Sequence, residues 1–252
     1  MHITLPFTDT GYSRTSYFQY AMLASLPLAL YYLPTVNLVL SLIVGYVISL
    51  FATFTGMHRY CSHNSYSVNK FWHWILYLAG TIQCVGSPLH WANIHLIHHE
   101  HADTEKDPHS PKHMGYIKTF FAGWFEWKHA SFKNEIIKKI AKDPAAAFTD
   151  RYYVYIIISW VLIVYLINPS LIWALFFFPM FFSLVIPAVI NTFSHAINGS
   201  GARNNRLLGL VLGGDVAYHQ VHHDNPQKDI YRFPDLPGFM IWLIKKKVDI
   251  LV

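Results

Sequence analysis

The chain has 252 residues, of which 53% are hydrophobic and only 13% charged, with a formal net charge of +5. So apolar a composition excludes an ordinary soluble domain and matches a bilayer instead. Its two cysteines, Cys61 and Cys84, lack CxxC spacing, which excludes a disulfide framework and an iron–sulfur cluster and reads as two buried thiols in a reduced compartment.

Residues 1–16 are polar with one basic residue, Arg14, and the apolar run after them continues straight into a second. That is the pattern of a membrane hairpin rather than of a cleaved signal peptide. Four apolar stretches are predicted to span: Tyr17–Leu33, Val36–Thr55, Tyr152–Ile167 and Leu171–Ile190. At about 1.5 Å per residue they reach about 24–30 Å, the thickness of the hydrocarbon core. The links "PT" at 34–35 and "NPS" at 168–170 are so short that each pair must be antiparallel.

All 19 Lys and Arg residues lie outside these spans and links, so they fall on one side of the membrane, which the positive-inside rule makes the cytoplasm. The expected fold is an all-α integral membrane protein: one domain, 1–252, with four transmembrane helices in two hairpins. A cytoplasmic helical cap, 56–151 and 191–252, completes it, with both termini on the cytoplasmic side. "KKK" at 245–247 beside "FMIWLI" fits an interfacial anchor on anionic headgroups. No basic stripe with interleaved aromatics accompanies it, which excludes nucleic acid as a partner.

Between the hairpins, "FWHWILYLAGTIQCVGSPLHW" at 71–91 is a possible fifth span. Its His73, Gly80 and Gln83, and the "GSP" break at 86–88, favour a helix partly sunk in the interface or packed on the spans. Phe120, Phe121, Trp124, Phe125 and Trp127 either line an apolar tunnel or form an interfacial belt. "DPAAAF" at 143–148 reads as a Pro-started helical turn entering the third span. "NGS" at 198–200 matches a glycosylation acceptor but lies on the cytoplasmic side in this topology.

The chain has 16 histidines, and three groups stand out. "HRYCSH" holds His58 and His63 just past the second span, "HLIHH" holds His95, His98 and His99, and "HQVHH" holds His219, His222 and His223. In a helix, HxxHH puts residues i, i+3 and i+4 on one face, where three imidazoles can converge. HxxxxH leaves its two rings about 140° apart on a straight α-helix, which suits two neighbouring ions rather than one. Spacing and count favour a dinuclear site over a single tetrahedral zinc. Imidazoles suit Zn, Cu, Fe or Ni; so many neutral nitrogens around open positions argue against structural zinc and invite O₂ chemistry on iron. Asn191 and His195, at i and i+4 where the fourth span runs out, share a face. The Asn amide is either a boundary hydrogen bond or a group holding a water against a metal.

With these residues in hand, the chain resembles the membrane-bound fatty-acyl desaturases of the stearoyl (delta-9) type over about residues 36–225. The three boxes HxxxxH, HxxHH and HxxHH occur in order between two span pairs. "DTEKDPH" at 103–109 is similar to the acidic stretch after the family's second box, and "NxxxH" at Asn191–His195 to its extra ligand pair. The resemblance implies that His58, His63, His95, His98, His99, His195, His219, His222 and His223 bind two Fe ions. Asn191 would place a water on one of them, with O₂ as co-substrate. Trp91, four residues before His95, falls where such enzymes carry a Trp beside the substrate.

The other seven histidines, His2, His73, His90, His101, His109, His113 and His129, match no ligand position and read as structural or surface residues. Two departures are visible. The family commonly has "GEGWH" or similar before its third box, whereas this chain has "GGDVAYHQVHH", with Asp215 and two extra residues in between. Animal acyl-CoA desaturases often carry Arg-Asp before the second box, where it holds the CoA head; Asn93 and Ile94 stand there in this chain, which tilts the acyl carrier from CoA toward a lipid or a carrier protein.

Removing hydrogens from mid-chain carbons has no acid–base route and needs a metal, O₂ and two electrons. No Gly-rich dinucleotide fingerprint occurs, so the electrons come from an external donor, a ferredoxin or cytochrome b5 type protein docking on the basic cap. Histidine-box hydroxylases, alkane oxygenases and carotenoid ketolases are the alternative reading. Metal transport is disfavoured because the four spans hold no His, Asp or Glu near the midplane.

Overall fold

A computed structural model describes residues 11–125, 135–195 and 201–246. Trp127, His129, His2, the "NGS" acceptor and Lys247 lie outside the described residues, as do the side chains of Trp124 and Phe125. The described chain is helical, with one isolated β-bridge between His195 and Ala202.

Helix α1, Gly11–Tyr32, ends before Pro34, whose missing N–H costs nothing at the start of α2, Thr35–Ser62. Helix α2 runs past its expected end at Thr55. Over Leu50–Ser62 it winds as a π-helix, and the His63 amide donates to the His58 carbonyl at 3.2 Å. Helix α3, Lys70–Ile82, is capped by Asn69, whose side chain accepts from the Trp72 amide. Helix α4, Pro88–His101, starts on Ser87, which accepts from the His90 amide. Helix α5, Pro111–Phe125, bends at Gly115, where φ is +75° and a side chain would be strained.

Helices α6, Glu135–Ala141, and α7, Pro144–Arg151, follow; the latter starts on Pro144, as "DPAAAF" leads one to expect, and Asp143 caps it by accepting from the Ala145 and Ala146 amides. Then come α8, Tyr153–Ile167, and α9, Pro169–Phe193. Four short helices complete the chain: α10, Arg206–Leu212; α11, Gly214–Ala217; α12, His219–Asp224; and α13, Leu236–Ile244.

Of the four expected spans, α2 and α9 are long and apolar enough to cross a bilayer. Helices α7 and α8 qualify as a third only together, bent by 77°. The possible fifth span at 71–91 falls on two helices, α3 and α4, broken at 83–87, and neither is long enough to cross. Helix α3 packs on the π-helical half of α2.

The core forms where α2 and α9 meet. A Cβ on Gly45 would lie 2.5 Å from Phe178 Cβ, so only glycine permits this approach. Around it, Met22, Met57, Trp91, Ile157, Phe176 and Met180 form one buried cluster, and Leu50, Phe54, Ile186, Ile190 and Val216 a second. Outward-facing residues of the apolar helices, including Val36, Leu40, Ile43, Leu162 and Leu166, are exposed, the surface a lipid solvent requires. Inside, Thr53 donates to Ser183 and Ser183 to Gln83, at 2.8 and 2.9 Å, so these three buried side chains, from α2, α9 and the 83–87 break, satisfy one another. Cys61 and Cys84 are both free and buried.

Candidate metal centre

The nine histidines of the three boxes and the α9 terminus converge into two groups. One holds His58, His63, His95, His99 and His222; the other holds His98, His195, His219 and His223. Within each group the candidate donor atoms lie within 4.8 Å of one another.

The partition differs from the one that spacing suggests. Each HxxHH box is shared: α4 sends His95 and His99, one turn apart, to the first group and His98 to the second. Helix α12 does the reverse, sending His219 and His223 to the second group and His222 to the first. An i, i+4 pair lies more nearly along one line of the helix than an i, i+3 residue does, so each helix straddles the two groups. His58 and His63 also share one group, against the 140° divergence of an α-helix. The physical reason is the π-helix, whose i→i+5 bonding stacks residues five apart.

The ring nitrogens face inward. His58 Nε2 lies 2.9 Å from His222 Nε2, His222 Nε2 lies 3.0 Å from His99 Nε2, His63 Nε2 lies 2.7 Å from His95 Nε2, and His195 Nε2 lies 2.9 Å from His219 Nε2. Outward, three carboxylates face Nδ1 atoms. Asp107 accepts from His98 Nδ1 at 2.9 Å. Asp215 lies 3.0 Å from His58 Nδ1 and Asp103 lies 3.3 Å from His195 Nδ1, both ion-pair approaches off the hydrogen-bond angle. A carboxylate behind Nδ1 keeps the proton there and leaves the Nε2 lone pair facing in.

Burial, and then repulsion from neighbouring rings, holds His63, His95, His98, His219 and His222 well below the ordinary imidazole pKa, and His223 at about 3. Burial works against the charge of Asp215, but Arg59 and His58 beside it overcome this and keep the carboxyl below its usual range. Burial thus favours the neutral form of those six rings, and the buried Nε2 atoms of His98 and His223 have no hydrogen-bond partner. Such orphaned donors fit two transition-metal cations and nothing anionic.

A cavity with an empty volume of about 780 Å³, including space that opens to solvent, adjoins both groups. Phe54, Trp91, Ile94, Leu184 and Ala188 give it apolar walls, and Asn191 lines it beside His98 and His219. Asn191 belongs to neither histidine group. The Trp91 ring stacks on His95, with centroids 4.8 Å apart and planes at 23°.

Among the remaining histidines, His73 bonds to Tyr60 at 2.7 Å and Asp143 at 3.1 Å, and His113 to the Asp103 carbonyl at 3.0 Å. His109 lines the cavity, its ring 5.6 Å from that of His98. Burial lowers its pKa to about 4. Sequence reasoning gave no role to Asp103, Asp107, Tyr231 or Arg59. The "DTEKDPH" stretch was a signal for the first two; an arginine directly after a ligand was a signal for the last.

The fatty acid desaturase family model matches residues 33–238. The chain belongs to the fatty acid desaturase family. This desaturase-family chain is 30% identical over 176 residues to an sn-1 stearoyl-lipid 9-desaturase of Anabaena variabilis, an alignment covering 67% of the chain and 64% of the relative. It is 28% identical over 196 residues to an sn-1 stearoyl-lipid 9-desaturase of Synechocystis sp., covering 74% and 59%. It is also 28% identical over 186 residues to an sn-2 palmitoyl-lipid 9-desaturase of Nostoc sp., covering 68% and 64%. The chain thus spans 59–64% of the length of these relatives.

Proposed function

We propose that this chain is an O₂-dependent di-iron desaturase that introduces a double bond, at the delta-9 position, into a saturated acyl chain carried on a membrane lipid. The observation that carries this reading is the pair of adjoining imidazole groups opening on an apolar cavity. His58, His63, His95, His99 and His222 would hold one iron, and His98, His195, His219 and His223 the other. Bound iron, with O₂ and two electrons, supplies the oxidising power to take hydrogens from unactivated carbon. The chain's own residues do the rest: Phe54, Leu184 and Ala188 give the acyl chain apolar walls, Trp91 buttresses His95 at the cavity wall, and Asn191, which lines the same cavity, would place a water on one iron.

The residues ahead of the second box support a lipid carrier over CoA. Asn93 and Ile94 are buried and uncharged, and Ile94 lines the cavity, so no charged handle for CoA stands there. The relatives named for lipid-borne stearoyl and palmitoyl chains support the same choice. The reading includes four spans in two hairpins, with cap and termini on the cytoplasmic side and the exposed Phe239, Trp242 and Leu243 of α13 seated in the interface. Electrons come from an external ferredoxin or cytochrome b5 type donor.

The test is fatty-acid profiling after expression of the chain and of His222→Ala. Loss of two hydrogens is expected from the unsubstituted chain and no product from the variant. Gain of one oxygen instead would make the chain a hydroxylase, and product surviving His222→Ala would refute the site.

A further inference from the structure

The carboxylates behind the four-histidine group, Asp103 and Asp107, sit on one loop; the five-histidine group is backed differently. Behind His58 stands Asp215, and behind His222 stands Tyr231, whose hydroxyl lies 3.3 Å from His222 Nδ1. Both contact one side chain, Arg59, which is fully buried.

All five of its N–H donors are used. Nε and Nη2 donate to Asp215 at 3.2 and 2.9 Å, Nη2 and Nη1 donate to Asp235 at 2.8 and 3.0 Å, and Nη1 also donates to the Asp229 carbonyl at 2.9 Å. Its guanidinium carbon lies 4.7 Å from the Tyr231 ring centroid. A lysine cannot reproduce this, because an ammonium has no planar fork to engage two carboxylates and no flat face to stack.

We infer that Arg59 is a positioning residue for the five-histidine group, holding Asp215 against His58 and Tyr231 against His222 so that two ring nitrogens from distant chain segments meet at one ion. The inference rests on the metal-centre reading above. With Nε2 reserved for the ion, His222 Nδ1–H donates to the Tyr231 hydroxyl, while His58 Nδ1 faces Asp215. Arg59 thereby settles both tautomers from behind. The charges agree: one guanidinium between two carboxylates leaves a buried surplus of one negative charge beside His58, which a bound cation offsets.

The test is iron stoichiometry and the kinetics of iron release to a chelator, on purified full-length protein. Unsubstituted protein should hold two irons. Arg59→Gln and Arg59→Lys should both lose one iron about 10–100-fold faster while the other leaves at its unsubstituted rate. Tyr231→Phe keeps the stacked ring and removes only the hydroxyl, so it should accelerate the same single iron, and it decides the matter if the Arg59 variants do not fold. Combined with Asp107→Asn, which acts on the other group, it should accelerate both. Equal acceleration of both irons by Tyr231→Phe alone, no acceleration in any of the three variants, or full rescue by Arg59→Lys would overturn the inference. Unsubstituted protein that binds no iron would instead refute the metal-centre reading itself.

Discussion

His58 and His63, five residues apart in the chain, turn their rings into one group, with centroids 5.0 Å apart. Only the π-helical winding of Leu50–Ser62 allows it. An alanine inserted between Tyr60 and Cys61 would rotate His63 away while leaving helix content intact. We expect the five-histidine group to lose its iron, with iron analysis falling from two equivalents toward one and far-ultraviolet circular dichroism unchanged.

Asp107 accepts from His98 Nδ1 and from the amides of Asp103 and His109. Asp107→Asn replaces an anion with a group that can donate in the wrong direction. Iron affinity of the four-histidine group should fall about 10–100-fold, measured by chelator competition.

Buried neutral imidazoles make the metal-free protein acid-sensitive. In the unfolded chain these histidines take up protons near pH 6.5, whereas burial holds His109 at about 4 and His223 at about 3 when folded. Below pH 6.5 the unfolded state binds more protons, so stability falls as pH falls, and it goes on falling until the folded values are reached. Thermal unfolding of iron-free protein should show a melting temperature that drops steeply between about pH 6.5 and 4, and bound iron should oppose the drop by competing with protons.

Ala188 is buried on α9 and lines the cavity. Ala188→Phe would fill apolar space in that cavity at a position that supplies no ring nitrogen. Conversion of the longest accepted acyl chains should fall about tenfold or more relative to shorter ones, with iron content unchanged; a matching loss across all chain lengths would show that the cavity does not hold the acyl chain.

The sequence by itself determined the apolar, helical character of the chain, the Pro-started turn of α7, the buried thiols and the spacing of the histidines that the fold gathers. Each of these is a local property: residue type, run length or the spacing of like residues along one segment. Only the tertiary structure decided how the nine divide. That His98 parts from His95 and His99, and His222 from His219 and His223, depends on how α4 and α12 face each other across a gap that no single segment encodes. The winding of α2 was hidden for the same reason, since an α-helix and a π-helix share their residue preferences and packing selects between them. Arg59 looked like one more cytoplasmic surface charge, because what neutralises it, Asp215 and Asp235, lies 156 and 176 residues further along the chain. Charge pairing over such separations is a consequence of the fold, which no local stretch of sequence encodes.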